Sequence, residues 1–200
     1  MKPIIFSTPM VQAILEGRKT QTRRVIKVDN APENWKISIA GTSIVRTEPY
    51  DVKLPRYAAG DILWVRETFF CEPCTEDCAG RNDENECPFN RVGNKCYGYK
   101  TQYAGGRCDG VKWRPSIHMP REAARIFLRV KTVRVERLQD ITEEDAIAEG
   151  MSKTLVDGVV FISAKGNFHV FWDSLNIKRG YGWESNPWVW VYEFEKINKE

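Results

Sequence analysis

No apolar run in the 200 residues approaches the length needed to cross a bilayer, so no membrane-spanning helix is expected. The first residues also lack the apolar core of a signal peptide, and the cytoplasm is the expected location. Histidine is scarce: His118 and His169 are the only two, far apart in sequence, and a packing or surface role is expected of both. No internal repeat and no low-complexity tract is present. A strong excess of one charge is missing too, because 30 Lys and Arg stand against 27 Asp and Glu, a net +3. That balance permits nucleic-acid binding without demanding it.

What is present suffices for a core. The apolar share is 42% and seven tryptophans add large rings to bury. Two hundred residues suit a single domain over 1–200 with an insertion inside it. The insertion is expected at 71–110, which holds all six cysteines, many acids and glycines, and little periodic apolar sequence. Such a stretch cannot build its own core. Four thiolates at Cys71, Cys74, Cys78 and Cys87 would hold a tetrahedral zinc and fold it; other sets use Cys96 or Cys108, and a reduced or disulfide-linked loop is the plainer alternative. The spacing fits no common iron–sulfur run.

Around the insertion the pattern predicts many short strands and three helices. Strands are expected at Pro3 to Phe6, Lys36 to Ala40, Ile62 to Thr68 and Trp188 to Phe194. Ala124 to Leu138 alternates with a change of phase at Lys131-Thr132 that suggests a bulge or turn. Asp157-Gly158 should turn a hairpin between Leu155 and Ile162. A first helix is expected to start at Thr8 and Pro9, bury Val11, Ile14 and Leu15, and stop at Gly17. A second starts at Thr142 with Asp145 in a capping box, turns Ala146, Ile147 and Met151 inward and ends at Gly150; a third is capped by Asn167 and buries Phe168, Phe171, Trp172 and Leu175. Without a regular strand–helix rhythm, the fold class expected is α+β, a small β-barrel flanked by about three helices.

The densest chemistry lies between Gly17 and Arg24. Eight positions hold four cations, Arg18, Lys19, Arg23 and Arg24, and two hydroxyls, with no acid between them. A neutral lysine amine can take the proton of a nearby threonine hydroxyl, so Lys19 and Thr22 form a candidate nucleophile pair. That role needs the Lys19 pKa lowered by burial or by neighbouring cations. The bland alternative is a solvated basic turn. Arg18, Lys19, Arg23 and Arg24, with Arg66, Arg121 and Arg125, could also line a groove for phosphates, and Trp64 or Trp113 could stack on a base. The alternative places each tryptophan in the core and leaves each arginine solvated.

Gly17, Lys19, Thr22 and Arg24 match the Gly-x-Lys-x-x-(Glu/Thr)-x-Arg signature of ASCH domains in the PUA-like superfamily. The resemblance covers much of the chain outside 71–110. Trp64-Val65-Arg66-Glu67-Thr68, Ser116-Ile117-His118-Met119-Pro120 and Asn186-Pro187-Trp188-Val189-Trp190 are similar to segments of phage and prophage ASCH proteins. The resemblance implies a PUA-like barrel and recognition of RNA or a modified nucleoside. Ala146 to Met151 resembles a helix of small ASCH enzymes that deacetylate N4-acetylcytidine. By that resemblance Thr22 would be the nucleophile, Lys19 its base and Glu149 the residue that orients Lys19 or shuttles a proton, with no cofactor for catalysis. A carboxylate beside Lys19 raises its pKa, so burial would have to win. The alternative is an RNA-binding module without turnover. No protein partner and no membrane contact follows from the sequence.

Overall fold

The computed structural model describes residues 1–27, 38–40, 43–45, 55–73, 90–93, 95–103, 112–157 and 159–198. Cys74, Cys78, Cys87 and Cys108 lie outside these residues, as does most of the cysteine-rich stretch. In chain order the elements are β1 (Lys2–Ile5), α1 (Thr8–Leu15), β2 (Gln21–Val25), β3 (Ser38–Ala40), β4 (Ser43–Val45), β5 (Ile62–Arg66), β6 (Phe69–Pro73), β7 (Asn90–Val92), β8 (Lys95–Tyr99), β9 (Phe127–Arg137), α2 (Glu143–Ala148), β10 (Thr154–Val156), β11 (Val159–Ile162), α3 (Ala164–Asn176) and β12 (Trp188–Ile197). The architecture is α+β. A mixed five-stranded sheet has the order β1-β5-β9-β12-β2, with β1 parallel to β5 and the β5–β9 and β12–β2 pairs antiparallel.

Two compact units divide the chain: the first holds Met1–Glu16, Ile62–Arg129 and Lys196–Glu200, the second Gly17–Asp61 and Val130–Glu195. In the first, α1 starts one residue earlier than its sequence suggests. Ser7 takes the extended N-cap conformation, and Pro9 sits in the first turn where it gives up no hydrogen bond. Val11 and Ile14 are buried, and α1 ends at Glu16. The core gathers Trp64, Phe69, Tyr97, Tyr99, Met119, Ala123, Ala124 and Phe127. Strands β6, β8 and β7 form a small antiparallel sheet in which Gly98 lets the Phe70 ring lie against the backbone: a Cβ there would be 2.1 Å from a ring carbon. Trp113 to Pro120 is not extended throughout, because Ser116–His118 makes a 3-10 turn that leaves His118 exposed.

In the second unit β10 and β11 form the expected hairpin, with Asp157 at φ 50 in its turn. Strand β9, which begins in the first unit, runs on to Arg137 without the suspected turn. The phase fades because Val133 to Arg137 are half-buried on both faces, so neither face is marked as inner. Thr142 caps α2 as expected, its hydroxyl accepting from the Asp145 N–H at 3.1 Å. Ala146 and Met151 are buried, but Ile147 is exposed. Helix α3 is capped four residues before Asn167. Ser163 is its cap and accepts from the Gly166 N–H at 3.0 Å. The Glu143 carboxylate takes the next free donors, the Ala164 and Lys165 N–H groups. Phe168 and Trp172 are buried, whereas Leu175 at the end of the helix is open.

Candidate functional site

The candidate residues near the N-terminus all lie in the second unit. Gly17 at φ +76 turns the chain after α1, and Gly150 at φ +94 turns it after α2; both conformations suit glycine. Between them Lys19 and Glu149 form an antiparallel bridge. The Thr20 N–H donates to Ala148 O at 2.8 Å, and the Phe194 N–H donates to Thr20 O at 2.8 Å. Backbone bonds therefore seat Lys19 against the end of α2 before any side chain is considered.

Lys19 is 4% exposed. Its amine donates to Gln21 O at 2.7 Å, Glu149 O at 2.8 Å and Glu149 Oε2 at 2.8 Å. Three acceptors match the three donors of an ammonium. Burial is the strongest influence on its pKa and pushes it down; Glu149 opposes this, Arg24 and Arg23 add to it, and the net value lies below the usual 10.5 for lysine. Burial thus outweighs the carboxylate.

From Gln21 onward strand alternation separates two faces. Gln21 and Arg23 share one. Arg23 is buried, and its guanidinium donates to Glu136 Oε1, to Asp145 Oδ2 at 2.9 Å and to Glu149 Oε1 at 3.1 Å. Its guanidinium carbon stands 5.9 Å from the centre of the Phe168 ring. Gln21 donates to Asp145 Oδ1 at 2.7 Å, and Arg134 joins Glu136, Asp145 and Glu193. Burial works to raise the Asp145 carboxyl, but Gln21, Arg23 and Arg134 together hold it below 3.8. Arg23 is consumed by three acids and is not placed to take phosphate.

Thr22 and Arg24 share the other face, opposite Tyr192 and Trp190 of β12. Thr22 is buried, and its hydroxyl has no hydrogen-bond partner among the described residues. Arg24 is open to water, and one of its nitrogens donates to Arg23 O at 3.3 Å. Its pKa is nevertheless lowered, first by desolvation and also by Arg56, with Glu149, Tyr57 and Tyr192 opposing. Tyr57 and Tyr192 are both buried and meet edge to face at 5.2 Å. The Tyr192 hydroxyl accepts from the Arg56 N–H at 3.2 Å, and burial leads the influences that push its pKa up to about 12.

The structure thus brings Lys19 and Glu149 into direct contact and sets Thr22 on the adjoining strand, without a bond between the Thr22 hydroxyl and the Lys19 amine. Arg18 donates to Gly150 O at 3.0 Å, tying the two glycine turns together. Trp64 and Arg66 belong to the first unit. Trp64 is core, and Arg66 lies over its ring at 4.7 Å while donating to Ile117 O at 3.3 Å. Arg125, another candidate for a phosphate groove, pairs with buried Glu67 through two bonds of 2.9 Å. Of the suggested zinc ligands only Cys71 is described; it lies on β6, and Cys96 is buried on β8. Among the described residues no three metal-ligating side chains converge.

Sequence reasoning passed over Glu136 and Arg134, and with them Tyr57 and Tyr192; it singled out Asp145 only for a helix cap, not as a partner of Arg23. The alternation of β2 could have separated Arg23 from Arg24, because neighbours in a strand point to opposite faces. Nothing local marks the two tyrosines, which are distant in sequence. No protein-family model, no curated protein and no solved structure matches the chain.

Proposed function

We propose that this chain is an ASCH-type protein of the PUA-like superfamily that recognises RNA or a modified nucleoside in the cytoplasm. The observation that carries the reading is the division of labour across β2. Lys19 and Glu149 fix the strand from one side, while Thr22 and Arg24 sit on the other, the Thr22 hydroxyl unbonded among the described residues and Arg24 an exposed residue beside two tyrosines. A hydroxyl and a guanidinium together can bond the polar edge of a base, and the guanidinium can also meet phosphate. In the PUA-like reading the five-stranded sheet is part of a small barrel.

The enzymatic version, hydrolysis of the N4-acyl amide of N4-acetylcytidine, is favoured by a Thr22 hydroxyl that bonds no described residue and by the lowered Lys19 pKa. The saturation of Lys19 opposes it. A neutral amine keeps two hydrogens and one lone pair, so loss of its proton would turn the lone pair on one of three surrounding oxygens. Recognition without turnover is therefore the primary reading. Calorimetric titration with N4-acetylcytidine, cytidine and a short oligoribonucleotide tests it. Binding should weaken at least about tenfold, ~1.4 kcal/mol, in Arg24→Ala. Oligoribonucleotide affinity should also fall with added salt. No binding of any of the three rejects the reading. Release of acetate and cytidine by the wild type, abolished in Thr22→Ala and in Lys19→Ala, would replace recognition with hydrolysis. A structural zinc in the cysteine-rich stretch belongs to the same proposal; protein purified under reducing conditions with zinc content near zero removes it.

A further inference from the structure

The first unit holds cations that the nucleoside reading does not use. Arg66 closes β5, and the carboxylate of the next residue, Glu67, is taken by Arg125 and Thr101. Among the described residues Arg66 pairs with no acid, and its one hydrogen bond runs from Nη1 to Ile117 O at 3.3 Å. Its Nε is buried without a partner. Buried donors of that kind are rare in native proteins, and each calls for a cause such as an ion or ligand that completes the site. The guanidinium also lies over the Trp64 ring, which holds its plane. With Nη1 engaged, the Nε–Nη2 edge remains, and its two parallel N–H groups match the paired oxygens of an oxyanion.

Other cations gather at the same end of β5. The Arg114 N–H donates to Phe69 O at 2.7 Å, the Phe69 N–H returns to Arg114 O at 3.2 Å, and the Glu67 N–H donates to Met119 Sδ at 3.2 Å. Together with the bond from Arg66 to Ile117 O, these contacts wrap residues 114–119 around the strand end. The wrapping segment carries Arg114 and His118, Arg121 follows it, and all three are exposed. No acid occurs between Val111 and Arg121. Arg121 donates to Met1 Sδ, a weak acceptor that leaves its charge uncompensated. The next acid, Glu122, is engaged by the Tyr97 hydroxyl at 2.6 Å and by Lys95 at 3.7 Å. Arg23 in the second unit is the contrast, since three acids consume it. We propose that Arg66, with Arg114 and Arg121 on the wrapping segment, binds a phosphate group. Guanidiniums with no acid among them suit phosphate, whose several oxygens can meet more than one of them, better than a lone carboxylate. The phosphate is supplied either by an RNA backbone or by a small phosphorylated molecule.

Titration of the full chain with inorganic phosphate, followed by NMR at the Arg66 Nε–H signal, tests this. The signal should move with phosphate and stay in place with cytidine, which carries none; movement with cytidine alone would overturn phosphate as the ligand. Arg66→Gln should weaken phosphate binding at least about tenfold, and Arg66→Lys should weaken it too, because an ammonium keeps the charge without the fork. Arg114→Ala, at an exposed position, should weaken it about threefold with an unchanged thermal melt, which keeps the site testable if the Arg66 variants melt early. A labelled oligoribonucleotide separates the two sources. Displacement of phosphate by the oligoribonucleotide, with binding that weakens in the same variants, assigns the site to the RNA backbone. Phosphate binding without such displacement assigns it to a small phosphorylated molecule. An Arg66 signal that stays in place with both probes, or a phosphate affinity that survives both Arg66→Gln and Arg114→Ala, overturns the site. That result would leave the nucleoside reading standing, since Thr22 and Arg24 belong to the second unit.

Discussion

Single residues show how differently charge is handled in the two units. In the first, Glu67 is 1% exposed and both its oxygens are occupied by Arg125, with Thr101 as a third donor at 3.0 Å. Arg125 also lies over the Tyr99 ring at 4.1 Å. Arg125→Met removes the only cation bonded to Glu67 among the described residues while the carboxylate stays buried. A loss of about 3–5 kcal/mol is expected, because an uncompensated buried charge costs far more than the pair gained. The urea midpoint measures it, and a change below about 1 kcal/mol would show that Glu67 reaches water or another donor. Glycines make a second contrast. Gly98→Ala drives a methyl into the Phe70 ring and should cost about 1–3 kcal/mol by overpacking. Gly17→Ala meets nothing within 4 Å, but its φ of +76 should cost about 1–2 kcal/mol through the backbone alone. Crystal structures of the two variants would separate the causes: a displaced ring in the first, an unmoved neighbourhood in the second.

At the scale of elements, ends decide more than interiors. Helix α3 is held at its start by Ser163 and by Glu143, whose pKa is lowered chiefly by the Lys165 N–H. Ser163→Ala should cost about 1 kcal/mol. Asn167→Ala should leave the helix start intact, because the Asn167 amide bonds Ser152 O and Thr154 Oγ1 instead. Amide exchange of Gly166 and its neighbours distinguishes the two, and equal protection in both variants would refute the assignment of the cap. These details also mark what the sequence made legible. The hairpin at Asp157-Gly158, the Thr142 cap and the glycine stops at 17 and 150 rest on local chemistry and could be read directly. Ser163 was missed because Asn167 is an equally good capping residue four positions on, and the choice depends on Glu143, which lies 20 positions upstream. Arg23 and Arg24 looked alike as neighbours in a basic run. Their fates differ because a strand sends one toward Glu136, Asp145 and Glu149 and the other toward solvent. Long-range acids of this kind leave no local signature.

Acid should expose the same network in the behaviour of the molecule as a whole. The chain is nearly neutral at pH 7, but with its 27 acids protonated the 30 Lys and Arg remain, so self-repulsion rises steeply. Within that general decline Asp145 should have a signature of its own. Its folded pKa lies below 3.8 because Gln21, Arg23 and Arg134 overcome its burial. The folded state therefore binds the Asp145 proton less readily than the unfolded state. Its stabilisation is complete above the unfolded value and disappears as pH falls through the folded one. Asp145→Asn removes this charge without stranding Arg23, which keeps Glu136 and Glu149, so the variant should still fold. Urea midpoints taken from neutral pH downward should show the wild type ahead near pH 7 and the two proteins converging below 3.8. Lys19 adds a slope of the same sign at the other end: its lowered pKa means the folded state gains stability as pH rises through that value toward 10.5. Lys19→Met should remove that alkaline rise and leave the acid convergence untouched. A gap between Asp145→Asn and wild type that stays constant down the whole acid range would mean that the carboxylate is not held by the cations around it, and the network would reduce to packing.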